Sequence, residues 1–356
     1  MFKLFARTAA LAAIGAGILL VMNHYGLFAF ENVLRAFSTG GRFVAALVVT
    51  HSALCFLLMC RYRLLVRLVG LDVKLAHLTS ATFVSTAIGQ WAPGALAVTE
   101  VVRMSLMLGV EKAQGRVLSQ SASRFAVASL YDRCVGFFSM LLVGGIATSF
   151  VLVGGLRDGR IEASASNAQF LGLLALTLLS FGGAIAIVFL PFAAKWRLVH
   201  ALLDRLQSGP NPGGFSKNVG RAQSLVRVLG EGAEFLPRFL GPVVLSIGCM
   251  VLSCVGLWFA SNAIGTPLPL FAIFATFPVT AIATLFPLGF GGMGGYQLVA
   301  VGIFGVFGVA PAIVSSASVL QNAIVLIVNT LLGVLYAHHS SKQIATVLRG
   351  AVKEKE

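Results

Sequence analysis

The stretch "GQWAPGALAVTEVVR", Gly89 to Arg103, sets a proline-glycine break, a glutamate and an arginine between segments that otherwise read as membrane interior. Pro93 and Gly94 interrupt any helix passing through, and Thr99 is suited to cap a new one, with Glu100 in its first turn and Arg103 a turn on. Hydrocarbon satisfies no backbone N–H or C=O, so a break at membrane depth is tolerated only where it is buried in protein or lines a polar cavity. The stretch therefore predicts a helix that enters the bilayer, stops and turns back.

The composition supports that setting. Of 356 residues 58% are hydrophobic and 11% charged. Residues 11–22, 44–59, 170–190 and 243–260 are apolar on every side, whereas a helix of a soluble domain keeps one polar face. The chain reads as an all-α polytopic membrane protein, a single transmembrane domain over 1–356. The formal charge of +14 comes from basic residues scattered over short loops, which argues against nucleic acid and for cytoplasmic anchoring and anionic lipid. Cys55, Cys60, Cys134, Cys249 and Cys254 have no CxxC spacing, and the six histidines, His51 among them, show no ligand spacing, so neither a disulfide framework, a metal site nor a cofactor is expected. Residues 1–22 imitate a signal peptide without a cleavage site and read as an uncleaved span.

Loop charge orders the spans. Arg61, Arg63, Arg67 and Lys74 mark one cytoplasmic loop, residues 195–238 with seven basic and three acidic side chains another, and the basic C-terminus a third. The loop from Arg157 to Glu162, with two charges of each sign, reads as exterior. Both termini are then cytoplasmic only if 75–108 and 270–308 enter and leave on the same side. Each half reads span, re-entrant hairpin, span: first 43–60, 75–108 and 124–153, then 239–262, 270–308 and 311–337. The halves run in opposite orientation, the pattern of an inverted-topology repeat. Between them, 193–238 reads as an amphipathic cytoplasmic linker, equally a solvated connector, with room there for a cytoplasmic partner or a homo-oligomer contact.

Candidate chemistry gathers at the two breaks. Glu100 and Arg103 stand at i, i+3 and can pair, leaving Arg103 placed to meet an anion beside a helix N-terminus; a plain interfacial salt bridge is the alternative. In "SRFAVASLYDRCVGFF", Arg124 and Asp132 share a helix face, Asp132 can pair with Arg103 or Arg124, and Arg133 can reach up to lipid phosphates. In "FPLGFGGMGGYQ", Pro287 and Gly289 break the chain, Gly291, Gly292, Gly294 and Gly295 can form an anion-binding nest, and Gln297 adds a neutral polar group. Signatures of soluble enzymes are absent.

The elements "APGALAVTEVVR", "YDR" and "PLGFGGMGGYQ", with "RYRLLVRLVG" and the closing "GVAPAIVSSASVLQNAIVLIVNTLLGVLYA", resemble the membrane domain of lysylphosphatidylglycerol synthases, a flippase-like integral membrane family with stand-alone members. The resemblance spans most of the chain and puts Glu100, Arg103, Asp132, Arg133 and glycines 291–295 on the family's polar positions. Thr99 stands where the family often has glycine, and Gln297 where it usually has glutamate. The resemblance implies a translocator in the bacterial inner membrane, moving an anionic or phosphate-bearing lipid such as a phospholipid or polyprenyl-phosphate-linked sugar, without an aminoacyl-transfer domain. An intramembrane enzyme using Glu100 or Asp132 as general base, and a scaffold for a soluble transferase, remain alternatives.

Overall fold

The computed structural model describes residues 13, 16–92, 95–113, 118–158, 167–193, 238–282, 289–290, 293–305 and 307–339. Pro93, Gly94, Pro287, Gly291, Gly292 and nearly all of the 193–238 linker lie outside the described residues. Residues 16–24 are helical, followed by α1 (Phe30–Ser38), α2 (Gly41–Leu68), α3 (Leu75–Gln90), α4 (Ala95–Ala113), α5 (Leu118–Arg157) and α6 (Ala168–Ala193). After the linker come α7 (Leu240–Ala263), α8 (Leu270–Ile282), α9 (Gly295–Gly305) and α10 (Pro311–His339). Five helices, α2, α5, α6, α7 and α10, are long and apolar enough to cross a bilayer. The protein is a multi-pass membrane protein.

Several serines and threonines within the helices satisfy their hydroxyls locally: Thr50 donates to the Ala46 carbonyl at 2.7 Å, Thr82 to Leu78 at 2.8 Å and Thr148 to Gly144 at 2.8 Å. Such bonds cancel the cost of a hydroxyl in an apolar medium.

Two quartets of helices, α2 to α5 and α7 to α10, share one set of neighbours. At the centre α2 packs along α7. The short helix α3 leans on α10, the last of the other quartet, as α8 leans on α5. Within each quartet the two short helices pack together, and the second of them rests on the long helix that follows. Helices α2 and α7 also end alike. Gly70 and Gly265, 195 residues apart, adopt φ of 76° and 80°. The residue after each bonds five back, Leu71 N–H to Val66 O at 3.1 Å and Thr266 N–H to Ser261 O at 3.1 Å. This left-handed termination favours glycine, and it turns the chain into a new helix five residues later, at Leu75 and at Leu270.

The α3–α10 contact is close: a Cβ at Gly333 would lie 2.2 Å from Ala87 Cβ. Only glycine lets those backbones approach so far. One buried cluster joins Leu47, Leu257, Ile273, Phe304, Val314 and Leu320 across α2 and the second quartet; another joins Tyr62, Val66, Leu78, Met107 and Phe125 within the first.

Several expectations need correcting. Arg61, Arg63 and Arg67 are not in a loop, because α2 continues to Leu68. Thr99 caps nothing: α4 begins at Ala95, so Thr99 and Glu100 lie beyond its first turn. The all-α architecture holds, with one two-residue antiparallel ladder in which Gly289 pairs with Gly294 and Phe290 with Met293, β1 (Gly289–Phe290) and β2 (Met293–Gly294). Glycine suits that ladder because a strand this short carries no side-chain packing to lose.

Candidate functional site

The charged residues of the first quartet converge from three helices. Asp132, on α5, receives Arg61 Nε of α2 at 2.8 Å on one carboxylate oxygen and faces Arg103 Nη2 of α4 at 3.8 Å on the other. Arg103 turns its second contact to Glu100, one helical turn back, and Arg133 of α5 donates to the other oxygen of Glu100. The chain of contacts runs Arg61, Asp132, Arg103, Glu100, Arg133. Arg61, Arg103 and Asp132 are 6%, 5% and 4% exposed, so water does little to screen them.

Aromatic and hydroxyl groups hold the cluster in place. The Arg103 guanidinium lies over the Tyr62 ring, 3.7 Å from its centre, and Tyr62 Oη is 3.4 Å from Ser129 Oγ. The ring gives the cation an attractive face without neutralising it. Arg61 Nη1 also donates to Ser246 Oγ of α7 at 2.9 Å, which ties the cluster to the second quartet. Nearby, Ser121 donates to the buried Glu111 at 3.1 Å and links α4 to α5.

Three guanidiniums face two carboxylates, leaving one positive charge in excess. The Nε atoms of Arg103 and Arg133 are buried and have no hydrogen-bond partner among the described residues. Burying an ion costs several kcal/mol even after relaxation, and replacing such a cluster with apolar side chains is often neutral or stabilising. Net stability is therefore a poor reason for these five side chains to be here. An anion carrying one negative charge would balance them and accept the idle N–H groups.

The expected site is partly rearranged. Arg124 does not join Asp132: it is exposed and donates to the Gly70 carbonyl at 3.3 Å, because Arg61 already fills the position beside the carboxylate. Arg133, half-buried, pairs with Glu100. Of the second break the described residues are Gly289 and Gly294, which pair in the short ladder, and Gly295 and Gln297, which open α9. Gln297 is fully buried in the first turn of α9, not a turn further on.

Sequence reasoning missed Arg61, Tyr62 and Ser246. The signal available was "RYR" directly following an apolar run with no helix breaker between them.

This polar core spanning three apolar helices, in a chain with breaks at Pro93–Gly94 and at the glycine cluster, fits one family over residues 8–333, described as the lysylphosphatidylglycerol synthase TM region. The chain belongs to that family. Neither the curated proteins nor the solved structures yield a match. As a lysylphosphatidylglycerol synthase TM-region protein it has a lipid-related role in a membrane, and the match covers nearly the whole chain. Elsewhere in this TM-region fold, Phe150, Gly154, Asp158, Gln169, Phe271 and Phe307 line a cavity of about 460 Å³. Asp158, just past the end of α5, is 26 residues from Asp132, roughly 39 Å along the helix direction, so the cavity and the cluster lie well apart along α5.

Proposed function

We propose that this protein is a lipid translocator that receives an anionic, phosphate-bearing head group at the Arg61–Asp132–Arg103–Glu100–Arg133 cluster. The observation that carries the reading is an excess of one positive charge in a network whose Arg61, Arg103 and Asp132 are buried and whose Glu100 and Arg133 are half-buried, with two buried guanidinium N–H groups unpaired among the described residues. A phosphodiester monoanion matches it in charge and in acceptor geometry. Arg103 and Arg133 engage the phosphate; Glu100 and Asp132 hold those guanidiniums at fixed angles; Tyr62 supports Arg103 from below. The protein binds and moves its ligand and makes no covalent bond.

The matching neighbours of the two quartets, and their matching glycine terminations 195 residues apart, support an inverted repeat whose short helix pairs re-enter the membrane. In that arrangement the seam between quartets is the path, and the contact from Arg61 to Ser246 lies across it. The cavity farther along α5 gives the seam a second mouth. Phospholipids and polyprenyl-phosphate-linked sugars carry the required head-group chemistry, and the lipid tails stay in the bilayer throughout.

The test is reconstitution of the purified protein in liposomes that carry head-group-labelled lipid in the inner leaflet. The expected result is transfer of a phosphate-bearing label to the outer leaflet well above the rate of protein-free vesicles. Transfer no faster than in empty vesicles, for phospholipid and polyprenyl-phosphate probes alike, would refute the reading.

A further inference from the structure

A second polar group lies in the membrane interior, away from the ionic cluster. His51 and Cys55, one turn apart on α2, meet Asn329 of α10. His51 Nε2 is 3.1 Å from Asn329 Oδ1, Cys55 Sγ is 3.1 Å from the same oxygen, and Sγ and Nε2 are 3.5 Å apart. His51 is ten residues from the start of a 28-residue span, roughly 15 Å along it, and thus close to the bilayer midplane. The contact crosses between quartets, from α2 to α10.

With the Asn329 carbonyl oxygen facing both groups as assigned, the tautomer that satisfies the contact is the one with its proton on Nε2. Nδ1 has no hydrogen-bond partner among the described residues. It is the lone pair open to a proton.

Packing alone does not call for histidine here. The position 195 residues on, set by the common spacing of Gly70 and Gly265, is Ser246, which sits in α7 at the corresponding depth. A glutamine amide is long enough to donate to the same oxygen without carrying a titratable nitrogen. Ionisable side chains at this depth are costly and mark proton or ion pathways when they occur, and histidine is the side chain whose charge changes near neutral pH.

The surrounding titratable groups are few. Cys249 and Cys254 of α7 are both buried. On α5, Asp132 pairs with Arg61, ten residues from His51 and roughly 15 Å along α2. Arg133 is held by Glu100, and Cys134 follows it on the same helix. Helix α3 has His77 in its first turn, α1 has Glu31 and Arg35, both exposed, and α10 has Tyr336 toward its far end. No carboxylate among the described residues pairs with His51.

We propose that His51 is the protonation site that couples proton movement to lipid translocation, its protonated form favouring separation of α2 from α10. This rests on the translocator reading. A protonated His51 places a charge at the α2–α10 contact with no carboxylate beside it among the described residues, and that charge gains solvation when the seam opens to water, so proton loading shifts the population toward the open arrangement.

Two measurements on the full chain in lipid nanodiscs or vesicles test it. The first follows the imidazole resonance of His51 in ¹⁵N-histidine-labelled protein, assigned by its loss in His51→Gln, between pH 5 and 8. The second follows exchange of a head-group-labelled phospholipid over the same range. The proposal expects the His51 resonance to titrate, exchange to be several-fold faster at the acid end, and His51→Gln to exchange at a rate independent of pH. An imidazole that keeps one state throughout, or a pH dependence that survives in His51→Gln, overturns it while leaving the translocator reading intact. A titrating His51 with no exchange at any pH would instead strike the translocator reading, and this coupling with it.

Discussion

The two quartets solve the same packing problem with different chemistry. In the first, α5 carries Ala128, Ser129, Asp132 and Arg133; in the second, α10 carries Ala317, Ser318, Gln321 and Asn322 at the same relative positions, 189 residues on. Asp132 is held by Arg61, whereas Gln321 donates its amide to the Ser253 carbonyl at 3.0 Å. Counting 195 on from Arg61 and Tyr62 gives Gly256 and Leu257. A Cβ on Gly256 would lie 3.1 Å from Gln321 Nε2, so that pairing meets over a bare backbone where the first quartet uses a guanidinium. The second quartet makes its helix contacts with no ion pair among its described residues. The charges of the first are thus not a requirement of the packing, and a ligand is the simpler reason for them.

The largest effect expected from this contrast is at Arg61. Arg61→Ala leaves Asp132 buried with only Arg103, at 3.8 Å. It should cost about 3–5 kcal/mol of unfolding free energy, as removal of one partner from a buried pair does. Removing both charges, as Arg61→Met with Asp132→Leu, should cost clearly less than Arg61→Ala alone; unfolding in detergent, read as a double-mutant cycle, checks this. A double variant no more stable than the single would mean that the first quartet needs its charge to fold.

A smaller effect, equal in both quartets, is expected at the glycine terminations. Gly70→Ala and Gly265→Ala each force a side chain into a left-handed backbone, at about 1–2 kcal/mol. Markedly unequal losses would break the correspondence between the halves. The smallest effect should be that of Gln321→Ala, about 1 kcal/mol, the usual net value of a neutral hydrogen bond. A loss as large as that of Arg61→Ala would erase the contrast between a charged and a neutral site.

Much of the architecture was legible in the chain. Long apolar runs gave the spans, because a bilayer-exposed helix has no polar face to disguise it, and the Glu100–Arg103 pair followed from helical spacing alone. Contacts between distant helices were not legible. Arg124 shares a face with Asp132, yet the partner is Arg61 from another helix, and "RYR" looked like a loop because a basic cluster after an apolar run ordinarily marks the membrane surface. His51 carried a weak signal, a single polar residue in the middle of an apolar run, with nothing in the sequence to indicate Asn329, 278 residues away. Of the glycine cluster read as an anion nest, Gly291 and Gly292 lie outside the described residues, and the residues flanking them form a short ladder.

The central claim is that the excess charge of the first quartet serves a head group, and Arg103→Gln tests it most directly. That change balances the cluster while Arg61 still holds Asp132 and Arg133 still holds Glu100. Lipid exchange in vesicles, measured beside thermal unfolding of the same preparation, should fall by about 10- to 100-fold in a variant that remains folded, the loss expected for a charge-assisted hydrogen bond of about 1.5–3 kcal/mol. A folded Arg103→Gln protein that exchanges phosphate-bearing lipid at the wild-type rate would contradict the account.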